Sequence, residues 1–305
     1  MKKSWPTWLL ILSFIVSTIL GGNNAIAVRF SNAELPPFFG GAIRLSVASV
    51  ILFIVVAIIG LELPKGRSLV GALIFGVLQY GISYALIYWS LLEVPAGMFQ
   101  VILALVPLLT FLFAILHRQE EFQWQILVGG LLALGGIIVI FNEGLSANVP
   151  LLSLFAIVIV AACFAESMII FKAFPKSHPI TTNAIAMGVG GLILSVISML
   201  SSEVPRLPSL SRTWFSVIYL IIFGSIVIFV LSFYVLKHWK ASITSYQLVL
   251  VPIVTIIFAS FLAGEEISGV FIIGGSLVLL GVIIGALAPE AFFNKVFSLF
   301  RKNQD

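Results

Sequence analysis

Apolar runs of about twenty residues, separated by short polar breaks, recur from one end of this 305-residue chain to the other. A helix of that length spans the hydrocarbon core of a bilayer, and no soluble core of this size has room for so many. Only 9% of the residues are charged and 61% are hydrophobic, whereas soluble domains carry about 25% charge. The bilayer is therefore the solvent and the fold class is all-α, polytopic. Helices are expected at about 7–28, 37–60, 68–91, 94–116, 124–141, 151–172, 181–200, 214–236, 241–263 and 267–288, ten transmembrane spans in all. The breaks are Pro36-Pro37, Pro64-Lys65-Gly66, Val94-Pro95, Asn142-Glu143-Gly144, Pro175 to Pro179 and Pro205 to Pro208, rich in residues that stop helices.

Charge orients the bundle. The net charge of +4 comes from basic residues standing singly in loops, with no stripe that would suit a nucleic acid. With the N-terminus inside, the cytoplasmic segments hold Lys2, Lys3, Lys65, Arg67, Arg118, Lys172, Lys176, Lys237, Lys240, Lys295, Arg301 and Lys302. The outer segments hold Arg29, Arg206 and Arg212, so both termini are expected in the cytoplasm. Lys2-Lys3, the following apolar run and Ala25-Ile26-Ala27 imitate a cleavable secretory signal, but the repeat described next needs that segment as its first helix. The single cysteine, Cys163, forms no intrachain disulfide, and metal-ligand spacings and a phosphate-cradling loop are absent, so no cofactor is expected.

A shift of 145 places lays Val106, Pro107, Thr110, Phe113, Ala114, Glu120, Glu121, Gly129, Gly130 and Gly136 on Val251, Pro252, Thr255, Phe258, Ala259, Glu265, Glu266, Gly274, Gly275 and Gly281. The same shift maps Ala96 on Ala241, and a shift of 143 maps Arg29 on Lys172. The chain thus divides into residues 1–145, 146–290 and a tail from 291 to 305. Five helices per copy is an odd number, so the second copy enters the membrane from the opposite side: two inverted five-helix repeats, a plan of alternating-access carriers.

The order and doubling of these features resemble the EamA-domain proteins of the drug/metabolite transporter superfamily. The matching residues are Gly22, Asn24 and Arg29; Pro37 and Arg44; Tyr84 to Ala96; Pro107 and Glu120; and Pro252 and Glu265. Gly21 stands where that family usually has Trp, and the second copy has no counterpart of Arg44. The resemblance implies a secondary transporter of the bacterial inner membrane, often an exporter of amino acids, related metabolites or toxic compounds. It also implies a central cavity and peripheral fifth and tenth helices. Uptake, or exchange of a solute against protons, is the alternative direction. A membrane-embedded enzyme or a structural membrane protein is the alternative of another class.

Polar groups at membrane depth need a partner or a cavity. Arg44 suits a solute carboxylate, or snorkels outward to helix-end carbonyls. Glu166 is the carboxylate set deepest in an apolar run; it suits proton coupling or solute contact, against a permanently paired structural role. Its repeat position corresponds to Asn23 and that of Ser167 to Asn24, which points Asn24 at a shared interior. Gln79, Tyr80, Tyr84 and Tyr88 lie on the third helix, the tyrosines at four-residue spacing on one face, with Ser225, Phe229 and Phe233 as their mates. Gln100 and its mate Ser245, with Tyr246, are further candidates for a small-molecule substrate site, against neutral interhelical bonding. Pro107 and Pro252 are candidate hinges, against static kinks. Glu120, Glu121, Glu265 and Glu266 are expected to cap the fifth and tenth helices, and the glycines of those helices to pack against neighbouring helices.

Overall fold

The computed structural model describes residues 7–121, 124–146, 148–175, 177–238 and 247–287. Among these there is helix and no strand. The helices are α1 Thr7–Asn32, α2 Pro37–Ile59, α3 Arg67–Ser90, α4 Ala96–Leu116, α5 Trp124–Ser146, α6 Leu151–Lys172 and α7 Pro179–Leu200. They continue with α8 (Ser211–Ile221, Ile222–Val227 and Ile228–His238), α9 (Gln247–Phe258 and Ala259–Ala263) and α10 (Gly269–Val282 and Ile283–Leu287). Seven of these segments, α1 to α4 and α6 to α8, are long and apolar enough to cross a membrane; the apolar stretches of α5, α9 and α10 are shorter. The start of the expected ninth helix and the C-terminal tail lie outside the described residues.

The chain is inside-out relative to a soluble protein. Ile58, Met199, Leu200 and Phe261 are about four-fifths exposed, facing lipid. Two apolar clusters fill the interior. One gathers Ile26, Tyr88, Ile102, Leu154 and Ile157 from α1, α3, α4 and α6; the other gathers Leu45, Leu52, Met187 and Leu194 from α2 and α7.

Helices that correspond in the two copies pack on each other: α2 on α7, and α5 on α10. Reciprocal contacts join α1 with α8 and α9, and α6 with α3 and α4, while α3 packs on α7 more closely than its counterpart α8 packs on α2. In the α5–α10 crossing a Cβ on Gly129 would strike the Gly281 carbonyl, and one on Gly136 would strike that of Gly274, so the backbones touch as the glycines predict.

Four π-helical stretches were invisible to periodicity: Gly76–Ile82 in α3, Ile222–Val227 in α8, Ala259–Ala263 in α9 and Ile283–Leu287 in α10, the first two at matching places in the two copies. In those two the wide turns free carbonyls, and serines take them: the Ser83 hydroxyl bonds Leu78 O at 2.7 Å and the Ser225 hydroxyl bonds Leu220 O at 2.8 Å. The proline pair is not symmetric. Around Pro107, α4 breaks between Ala96–Leu103 and Val106–Leu116, whereas Pro252 sits inside the unbroken Gln247–Phe258.

One end of the bundle is tied by carboxylates from one copy to groups of the other. Glu265 accepts from the backbone N–H of Ala96 (2.7 Å) and Gly97 (3.0 Å) and pairs with Arg29, so it caps α4 and not the helix that follows it. Ser268 caps α10 instead and donates to Glu143. Glu203 accepts from Phe38 N and Phe39 N at the start of α2, Glu34 from Ser209 and Leu210 ahead of α8, and Glu93 from the Ser153 hydroxyl. Helix N-termini carry partial positive charge, which suits each of the carboxylates that meets one.

Candidate functional site

A cavity of about 220 Å³ with a few polar groups in a mostly apolar wall is lined by Asn24 and Val28 of α1, Arg44 of α2, Tyr84 and Ile87 of α3, Phe99 and Gln100 of α4, Phe164 of α6 and Val251 of α9. Arg44 dominates its chemistry. The side chain is 3% exposed; its Nε donates to Ser225 Oγ at 3.0 Å and an Nη to the Gly224 carbonyl at 2.9 Å, both in the π-stretch of α8. Its guanidinium lies 5.0 Å from the centroid of the Tyr84 ring. These partners are neutral. Among the described residues no carboxylate forms an ion pair with Arg44.

A guanidinium keeps its charge in a protein, and a charge at bilayer depth costs at least about 2.5 kcal/mol when nothing compensates it. A carbonyl, a hydroxyl and an aromatic face compensate part of that, and leave the site suited to an anion. Asn24 adds the complementary polarity. Its Nδ2 donates to the Gly224 carbonyl at 3.4 Å, while its Oδ1 is buried with no donor bonded to it. Gly224 is essential to this geometry, because a Cβ there would overlap Asn24 Oδ1 and crowd the Arg44 Nη.

Sequence-predicted residues divide among this cavity and its surroundings. Asn24, Arg44, Tyr84 and Gln100 line it, and Ser225 holds Arg44. Tyr80 stands next to Tyr84, ring centroids 5.3 Å apart, but spends its hydroxyl on Asn183 Oδ1 at 2.8 Å. Gln79 accepts from the Ser167 hydroxyl at 2.7 Å, and Tyr88 is fully buried against Gly40 and Gly41. Phe229 falls one residue beyond the start of the last segment of α8 and does not line the cavity. Ser245 and Tyr246 lie outside the described residues. Glu166 is elsewhere, toward the end of α6: its Oε1 is 2.8 Å from His117 Nε2, and a quarter of its side chain is exposed. It does not line the cavity. Missed altogether were Phe99, Phe164 and the Gly224 carbonyl, which carry no polar side-chain signal.

A larger recess of about 630 Å³ lies between α1 and α8, lined mostly by Ile26, Phe30, Phe215, Tyr219 and Phe223. Its one charge, Arg212, is engaged with the Leu262 carbonyl and the Phe30 ring, so the recess offers apolar surface and little chemistry.

A bundle of apolar helices around a cavity that holds a few convergent polar groups is the build of a membrane transporter. The family profile described as the EamA-like transporter family matches residues 7–142 and again 151–286, and the chain belongs to that family. It is similar to the Escherichia coli K12 protein named "Uncharacterized inner membrane transporter YedA", 25% identical over 90% of this chain and 89% of the relative. It is also similar to the "Probable terminal-alkyne amino-acid exporter" of Streptantibioticus cattleyicolor, 26% identical over 93% of this chain and 94% of the relative. A solved crystal structure superposes with a TM-score of 0.60 over 91% of this chain and 97% of its own, at 17% identity, which shows a shared fold.

Proposed function

We propose that this transporter is a secondary carrier that exports amino acids or related small metabolites across the bacterial inner membrane by alternating access. Its ten helices form two inverted five-helix copies, residues 1–145 and 146–290, with both termini cytoplasmic. The observation that carries this reading is Arg44, a buried cation at the wall of that cavity with no acidic partner among the described residues. A solute carboxylate supplies the missing charge, Asn24 Oδ1 accepts from a solute ammonium, and Tyr84, Phe99 and Phe164 cover its apolar part. The reciprocal packing, the matching π-stretches and the family match to both halves support the repeat. The printed name of the Streptantibioticus relative supports amino-acid export.

Counterflow in proteoliposomes tests this reading. Preloaded unlabelled amino acid should draw in labelled amino acid faster than empty vesicles do, saturably, and Arg44→Gln should abolish it; a broad amino-acid and metabolite panel without counterflow overturns it. A second reading, that protons couple through Glu166, is favoured by its 2.8 Å contact with His117 across α4 and α6. Glu166→Gln should then remove the response to an imposed pH gradient while exchange persists.

A further inference from the structure

The two copies present the same pair of charges at opposite ends of the bundle, and only one pair is joined. Arg29 ends α1 and Glu265 follows α9; they form an ion pair, and Glu265 in addition takes two N–H groups at the start of α4. Their repeat mates are Lys172, which ends α6, and Glu120, which follows α4. Both mates are exposed, and among the described residues no ion pair joins them. Yet α4 and α6 already meet there: His117 contacts Glu166, and Gln119 Nε2 reaches the carbonyl of Ile169, one turn short of Lys172. Opposite charges of matching sequence origin are therefore held close in one copy and left open beside an existing helix contact in the other.

We propose that Arg29–Glu265 and Lys172–Glu120 are alternative latches, the first holding the state seen here and the second forming when the Arg29–Glu265 end opens. The inference rests on the inverted-repeat carrier reading: in such a carrier the copies exchange conformations between the two states, so a contact made by one copy is handed to its counterpart in the other. It goes beyond that reading in naming the residues that set the balance. Removing either member of a latch lowers the population of the state it closes, so the two latches have opposite signs.

Spin–spin distance measurements in proteoliposomes test this, in a Cys163→Ala background. One label pair sits at the exposed Leu92 and Leu207, on the Glu265 end; the other sits at the exposed Lys65 and Ala173, on the Glu120 end. Glu265→Gln should lengthen the Leu92–Leu207 distance and shift the open-to-closed ratio about tenfold, an ordinary size for a single coupling interaction. Arg29→Gln, which leaves the α4 cap in place, should act in the same direction, with Arg29→Lys close to wild type. Glu120→Gln and Lys172→Gln should instead deplete the long Leu92–Leu207 distance. Arg29→Gln at the wild-type ratio, or Glu120→Gln shifting it the same way as Glu265→Gln, overturns the latches. Counterflow by the wild type is measured in the same vesicles. Its absence removes the carrier reading and the latches with it, whereas counterflow with unmoved distances in every variant removes the latches alone.

Discussion

The α5–α10 and α2–α7 contacts both join helices that correspond in the two copies, and both use small residues, but to different ends. In α5–α10, glycine meets backbone, Gly129 on Gly281 and Gly136 on Gly274, and the Ser268–Glu143 hydrogen bond lies at one end of the crossing. In α2–α7, serines of α2 drop onto glycines of α7, Ser46 on Gly191 and Ser49 on Gly188, and the Ser49 hydroxyl bonds the Ala184 carbonyl at 2.6 Å. The same helix then turns Arg44 toward α8. Dry backbone contact makes a fixed joint, while a polar seam keeps α2 in place with enough hydrogen-bonding character to carry a buried cation nearby. Duplication thus supplied two symmetric joints, and only one of them borders chemistry.

That contrast can be broken experimentally. The largest effect is expected at the polar seam: Arg44→Gln should lower counterflow kcat/KM at least about hundredfold, since separating a buried charge from its counter-charge costs about 3–5 kcal/mol. Its thermal unfolding should change much less than its transport. At the dry joint the order reverses. Gly281→Leu puts side-chain atoms where the Gly129 carbonyl and Ala133 lie, and overpacking of this kind costs about 1–3 kcal/mol or more, so Tm in detergent should fall by several degrees. Gly224→Ala displaces Asn24 and Arg44 and should reduce transport about tenfold, the effect of losing a hydrogen bond to a charged group. Ser49→Ala, which removes one hydrogen bond across α2–α7, should cost about 1 kcal/mol in unfolding and leave substrate affinity alone.

The smallest effect is one of pH, at the loop that leads into α2. Hydrogen bonds, first that of the Ser209 hydroxyl, hold the Glu34 carboxyl at about 2, below its ordinary 4.5. The folded value is the lower one, so the contribution of Glu34 is complete above pH 4.5 and is lost as pH falls through 2. Wild type and Glu34→Gln should therefore differ in Tm at pH 6 and converge toward pH 2; a constant difference removes Glu34 from the acid response.

Much of this was legible because lipid imposes simple rules. Run length located α2, α6 and α7 almost to the residue, and the glycines of α5 and α10 announced close helix packing, though not that the two helices meet each other. Asn24, Arg44, Tyr84 and Gln100 could be singled out because a polar group in an apolar run needs a partner. What stayed hidden is what periodicity does not encode. The π-stretches leave no compositional trace, so the carbonyl of Gly224 could not be foreseen as a ligand of Arg44. The glutamates were assigned to the helices nearest in sequence, while Glu265 in fact caps α4, 169 residues before it. The contact of Glu166 with His117 joins two helices that sequence spacing does not relate.

A π-turn holds one residue more than an α-turn, so beyond it each side chain of α8 is rotated by about 100° from where a continuous α-helix would set it. Deleting a single residue between 222 and 227 would leave the span nearly as long and as greasy as before, yet swing Phe229 and everything after it to another compass bearing. Chain length in that short stretch is thus a determinant in its own right, and an indel there would move the hydroxyl and carbonyl that hold Arg44 without altering one atom of Arg44 itself.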